Sequence, residues 1–137
     1  MTIFKLAQTT EEAYKSGLRA LLRGMNTSTL DIEASAVISG DGLLIASVLG
    51  PETDPDRYAA MCASLLALAE RAALEIARGD LRLVLVDGEK GSMLLVRGDA
   101  NNVLAVAARP KANLGMVFRV ARETVAKIHA APTPASP

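Results

Sequence analysis

The sequence predicts an α+β fold, a five-stranded antiparallel sheet covered by helices, in the order helix, two strands, helix, three strands, helix. Three observations predict it. Short apolar runs meet at tight turns such as Gly40-Asp41-Gly42 and Asp87-Gly88, which join antiparallel neighbours. Longer segments between and after them carry apolar residues at helical spacing. Strands and helices are grouped rather than strictly alternating, which separates this chain from parallel α/β architectures.

The first helix is expected from Thr9 to Arg23. Thr9 and Glu12 have capping-box spacing, and Gly24 is a plausible stop. Tyr14, Leu18, Leu21, Leu22 and Met25 form its apolar face, with Lys15, Arg19 and Arg23 lying away from it. Asn26 to Asp31 reads as a polar connector. A hairpin follows, with strands Ala34–Ser39 and Leu43–Val48 around the glycine turn, closed by Gly50-Pro51. Beyond the second helix, Leu81–Val86, Ser92–Val96 and Val103–Ala108 read as strands, with Gly98-Asp99-Ala100-Asn101 as a turn. Asn113 caps a last helix to His129, whose core stripe is Leu114, Val117, Phe118, Ala121, Val125 and Ile128. Arg119, Arg122, Glu123 and Lys127 form its wet side. One domain is expected over residues 1–130, followed by a disordered tail, Ala131–Pro137, with three prolines in seven residues.

The second helix is the most informative segment. Asp54 caps it, Pro55 takes its first position, and the pattern carries it to Gly79. From Ala59 to Ala69 it bears no charge. At about 100° per residue, Tyr58, Met61, Cys62, Leu65, Leu68, Ala69, Ala72 and Ile76 share one broad face, read as the core stripe. Opposite them stand Ala60, Ala63, Ser64 and Ala67, small and neutral where charges belong on a surface helix. A helix apolar nearly all round is buried on more than one side. A chain of 137 residues has little mass to cover both sides, so a second copy is expected to do so. The run Leu81-Arg82-Leu83-Val84-Leu85-Val86 points the same way: at a sheet edge it needs cover, which the same strand of a second copy supplies. The expected dimer interface is therefore Ala60, Ala63, Ser64, Ala67, Leu81, Leu83 and Leu85. Arg57, Glu70, Arg71 and Glu75 border it and are candidate partner-binding residues.

Composition narrows the function. Lys plus Arg equals Asp plus Glu, so no general attraction to nucleic acid or an anionic membrane is expected. The single Cys62 forms no internal disulfide, in keeping with a cytoplasmic protein. The amino-terminal stretch lacks the apolar region of a signal peptide, and no run nears the roughly 20 residues that span a bilayer. No catalytic constellation, cofactor motif or metal-ligand cluster is evident. His129, the only histidine, reads as a solvated last-turn residue, and Cys62 as a small core residue. Gly40-x-Gly42 and Gly88-x-x-Gly91 open hairpins rather than helices, so they are turn glycines rather than phosphate loops. Arg109 and Lys111, flanking Pro110, read as an ordinary solvated loop.

Taken together, EASAVISGDGLLIAS, the Ala-rich helix after it, LRLVLVDGEKGSMLLVRG and RPKANLGMVFRVARETVAKI resemble the Roadblock family, the dynein light chain type of longin- and profilin-like domain. The resemblance runs from about Leu18 to Ile128 and is most specific in the DGLLIAS hairpin and the NLG helix start. It implies a five-stranded sheet with one helix on one face and two on the other. It also implies homodimers built from the long helix and the next strand, and service as a platform for Ras-like small GTPases or as a subunit of motor and signalling complexes. The longer connector Asn26–Ile32 departs from the family pattern, as does the lack of a long carboxyl-terminal extension. The expected function is thus a non-enzymatic homodimeric regulator binding a Ras-like GTPase. The alternatives are a scaffold without GTPase contact, or a small-molecule sensor with polar residues converging in a pocket between sheet and helix.

Overall fold

In the computed structural model, which describes residues 2–98 and 102–131, the chain runs α1 (Ile3–Ser28), β1 (Ile32–Ser39), β2 (Leu44–Val48), α2 (Pro55–Glu75), β3 (Leu83–Gly88), β4 (Gly91–Arg97), β5 (Asn102–Ala108) and α3 (Leu114–Ala130). The predicted order of elements is the observed one. All four strand pairings are antiparallel, and the sheet order is β2-β1-β5-β4-β3. This leaves β3 at an edge, as its apolar sequence requires cover to be found elsewhere.

Strand alternation divides the core into two layers. Val37, Leu94, Val96, Leu104, Val106 and Ala108 point to the face covered by α1 and α3. They meet Leu18, Leu22 and Met25 of α1 and Val117, Ala121 and Ile128 of α3. The opposite set, Ala36, Ile38, Leu95, Val103 and Ala105, faces α2. The stripes expected for α1 and α3 are the ones buried. One helix on one face and two on the other is the arrangement the resemblance implied.

Several boundaries differ from expectation. α1 begins at Ile3, where the Thr2 hydroxyl accepts from the Lys5 amide at 3.3 Å. Thr9 lies inside the helix and donates its hydroxyl to the Lys5 carbonyl, so its capping-box spacing with Glu12 goes unused. Gly24 does not stop the helix either. Met25 continues the buried line of Leu18 and Leu22, and that burial outweighs the roughly 1 kcal/mol cost of a helical glycine. The connector is therefore helical as far as Ser28, and Asn26 Oδ1 accepts from the buried Ser35 hydroxyl at 2.9 Å. At the far end of α2 the helix stops at Glu75 rather than Gly79. Ala77 and Gly79 adopt positive φ there, and the Arg78 amide closes back on the Ala73 carbonyl. β3 consequently begins at Leu83 and leaves Leu81 outside the strand.

The β3–β4 hairpin turns over Glu89 and Lys90, between the paired Gly88 and Gly91. Gly91 has φ of 132°, and a Cβ there would lie 2.4 Å from the Ala108 carbonyl oxygen. Only glycine lets β4 pass β5 at this point. Ala131, expected as the first residue of a disordered tail, instead caps α3 and packs on the core, while the rest of that tail and the Asp99–Asn101 part of the last turn lie outside the described residues.

Candidate protein-interaction surface

α2 is seated by small residues. Asp54 Oδ1 accepts from the amides of Asp56 and Arg57 at 3.1 and 3.2 Å, fixing the helix start. Ala59, Cys62 and Leu66 then lie fully against the sheet, opposite Ala36 and Ala105. Two contacts set the roll of the helix. On one flank, the Tyr58 hydroxyl donates to the Met93 sulfur of β4 at 3.6 Å. On the other, Ala63 abuts the β1–β2 turn, where a Cβ on Gly42 would come within 3.4 Å of its own Cβ. The Tyr58 flank therefore leans toward β3, and the Ala63 flank toward the hairpin.

This roll overturns the expected core stripe. Met61, Leu65, Leu68, Ala72 and Ile76 are exposed, with Leu68 at 64% and Ile76 at 63%. The reason is physical: the narrow seat on the sheet takes alanine, cysteine and a single leucine, and bulkier side chains are turned away. These five residues follow helical spacing and form one apolar stripe on the Tyr58 flank. The stripe looks toward the open β3 edge, where Val86 lies on the α2 face and is itself exposed, as is Leu85 on the other face. Bulky aliphatic side chains in such a continuous patch mark an interaction surface.

The predicted interface residues distribute unevenly around this patch. Ala60, Ser64 and Ala67 are exposed on the flank away from β3, whereas Ala63 is half-buried against the hairpin turn. Leu81 packs into the α2 layer, and Leu83 and Leu85 point to the opposite face, beside Val96 and Leu94. Of the four charged candidates, Arg57, Arg71 and Glu75 are exposed on α2. Glu70 is half-buried and forms an ion pair with Arg97 of β4, tying the helix to the sheet. Glu70 and Arg97 also line a cavity of about 350 Å³ with the Ser39–Asp41 turn, Ala63 and Ala67. Arg97 and Met93 were not singled out from the sequence. Their contacts to α2 span 27 and 35 residues and carry no local signal.

The chemistry of this surface is quiet. Burial first, and then the neighbouring Cys62, hold the Tyr58 phenol well above its ordinary range. Burial likewise pushes the Cys62 thiol up from its ordinary value of 9.0, partly offset by the Tyr58 hydrogen bond. Cys62 is thus a buried neutral thiol at physiological pH, in line with its reading as a core residue. Arg109 bridges to Glu33 at 3.2 Å, and its amide bonds the Asp31 carbonyl, so it staples the α1–β1 connector to the start of α3. Among the described residues no cluster of His, Cys, Asp and Glu is placed to hold a metal, and no helix is long and apolar enough to cross a membrane.

The profile of the Roadblock/LC7 domain matches residues 21–108. The uncharacterized protein MJ1340 of Methanocaldococcus jannaschii is 35% identical over 102 residues, covering 74% of this chain and 89% of that protein. The chain belongs to the Roadblock/LC7 family. Among solved structures, a Roadblock/LC7 domain from Streptomyces avermitilis superposes with a TM-score of 0.76 at 22% identity, covering 82% of this chain and 94% of that one. Myxococcus xanthus MglB does so with a TM-score of 0.77 at 17% identity, covering 84% and 86%. At these identities the two structures share the fold with this chain.

Proposed function

We propose that this protein is a non-enzymatic, homodimeric Roadblock platform that binds a Ras-like small GTPase in the cytoplasm. One observation carries the dimer: the apolar stripe Met61-Leu65-Leu68-Ala72-Ile76 runs beside the unpartnered β3 edge. A two-fold axis beside β3 brings each stripe against its copy and each edge against its copy in one step. The stripe then supplies the hydrophobic centre and the strand edge supplies directional hydrogen bonds.

The GTPase rests on family resemblance, supported by the character of the remaining α2 surface. Once the stripes are buried, Ala60, Ser64 and Ala67 with Arg57, Arg71 and Glu75 are left facing outward. Two such helices side by side offer one flat, small-residue surface with a charged rim, suited to a folded partner rather than to a small substrate. The test is capture of candidate Ras-like GTPases, loaded with GDP or GTP, on the immobilised dimer. Saturable binding that depends on the nucleotide supports the reading. A dimer that binds no such GTPase in either state leaves a scaffold role in its place.

A further inference from the structure

Behind the β3 edge, on the α3 face of the sheet, lies a cavity of about 530 Å³. Leu81, Val96 and Val125 give it an apolar floor, and Arg82, Arg122 and His129 stand around it. The two arginines and the histidine come from separate parts of the chain: the approach to β3, the middle of α3 and its last turn. The volume falls in the range of small-molecule sites.

Arg82 and Arg122 bring positive charge to this cavity. No Asp or Glu is among its described lining residues, in a chain with 15 acidic and 15 basic side chains. Two of the carboxylates nearest along the chain are engaged elsewhere. Glu123 pairs with Arg119, and Glu70 pairs with Arg97, which also borders the cavity at the end of β4. Asp80 lines an adjoining cavity with Arg78, Leu81 and Arg82, so Arg82 borders both cavities. Asp99 follows Gly98 in sequence and lies outside the described residues. The Arg122 guanidinium sits 5.5 Å from the centroid of the Phe118 ring, which covers one of its faces and leaves its N–H edges for an acceptor. Guanidinium forks bind carboxylate and phosphate oxygens in pairs. We infer that the cavity between α3 and the start of β3 binds a small organic oxyanion, a phosphate or carboxylate carried on an apolar body.

Amide NMR spectra of the ¹⁵N-labelled protein, titrated with phenyl phosphate, benzoate and inorganic phosphate, test this. Saturating shifts at Gly98, Val125 and Ala126 are expected, and the aromatic anion should bind about tenfold more tightly than inorganic phosphate if the apolar floor contributes. Benzoate against phenyl phosphate decides between carboxylate and phosphate. Arg82→Gln with Arg122→Gln should weaken binding by about tenfold or more while the rest of the spectrum stays in place. Shifts that survive the double substitution overturn the proposal, as does the absence of saturable shifts with every probe. Binding by Asp99→Asn alone, with none by the unaltered chain, also overturns it, because the arginines would then answer an internal carboxylate.

Discussion

The Tyr58 hydroxyl rests 3.6 Å from the Met93 sulfur, 35 residues further along the chain, and this contact holds α2 by one flank over β4. With Ala63 braced on the β1–β2 turn, the helix can present only one of its apolar sides to the sheet. The side it presents is the smaller one, and the bulkier stripe looks outward beside β3.

If the β3 edges pair, strand geometry restricts how. Directly opposed residues in an antiparallel pair lie on the same face, so a two-fold axis must lie level with one residue of β3, between it and its own copy, and not level with the gap between two. An axis at Val84 sets Leu83 against Leu85 of the second copy, whereas an axis at Leu85 sets Leu83 against Asp87. The apolar match favours Val84. Val84→Cys should therefore form a cross-linked dimer under mild oxidation, faster than Leu85→Cys. Preferential cross-linking of Leu85→Cys would shift the register, and a dimer that cross-links at neither would use another surface.

Arg57 and Arg71 remain outside the apolar stripe, so reversing either should spare self-association and alter partner capture. Arg71→Glu is expected to slow association by about tenfold at low salt and to flatten its salt dependence. Surface plasmon resonance at two ionic strengths reads both effects. Unchanged kinetics for both reversals would place the partner elsewhere.

The buried Cys62 and Tyr58 set an alkaline limit. Both groups keep their protons in the folded state at pH values where the unfolded chain has lost them. Above the ordinary thiol value of 9.0 the unfolded state binds fewer protons, so stability should fall as pH rises and should not change from this source below that value. Urea midpoints across this range, compared with Cys62→Ala, check the sign. A midpoint that rises with pH would contradict it. At neutral pH the thiol should react with a maleimide only as fast as the chain opens.

Gly91 offers a test of the sheet itself. Gly91→Ala forces a Cβ against the Ala108 carbonyl oxygen at an unfavourable φ, and should cost about 2 kcal/mol or more. Thermal unfolding reads this directly. An unchanged midpoint would mean that the β4–β5 approach is looser than described.

The fold was legible because its signals are local. Gly40-Asp41-Gly42 marks one hairpin, the Gly88–Gly91 pair another, and α3 has a clean apolar stripe with Arg119, Arg122, Glu123 and Lys127 outside it. α2 defeated the same reasoning. A helix apolar around most of its circumference has a period but no marked inner side, and side-chain bulk points to the wrong one. Ala59, Cys62 and Leu66 are favoured only because Ala36 and Ala105 lie beneath them, which is a tertiary fact. The pairing of Glu70 with Arg97 is likewise tertiary, and it removes Glu70 from the freely exposed rim. At α1 the sequence offered Thr9 as the cap, and Thr2 serves instead because the helix begins earlier and runs through Ile3, Phe4 and Leu6.

The central claim is that the α2 stripe is a surface for self-association, and Leu68→Asp tests it most directly. Leu68 is 64% exposed in the single chain, so the substitution should leave folding nearly unchanged, within roughly 0.5 kcal/mol. In a dimer it would bury an unpaired carboxylate and weaken association by about a hundredfold. Light scattering at micromolar concentration should give twice the 14.3 kDa chain mass for the unaltered protein and a folded monomer for Leu68→Asp. An unaltered protein that is already monomeric, or a Leu68→Asp variant that remains fully dimeric, would contradict the claim.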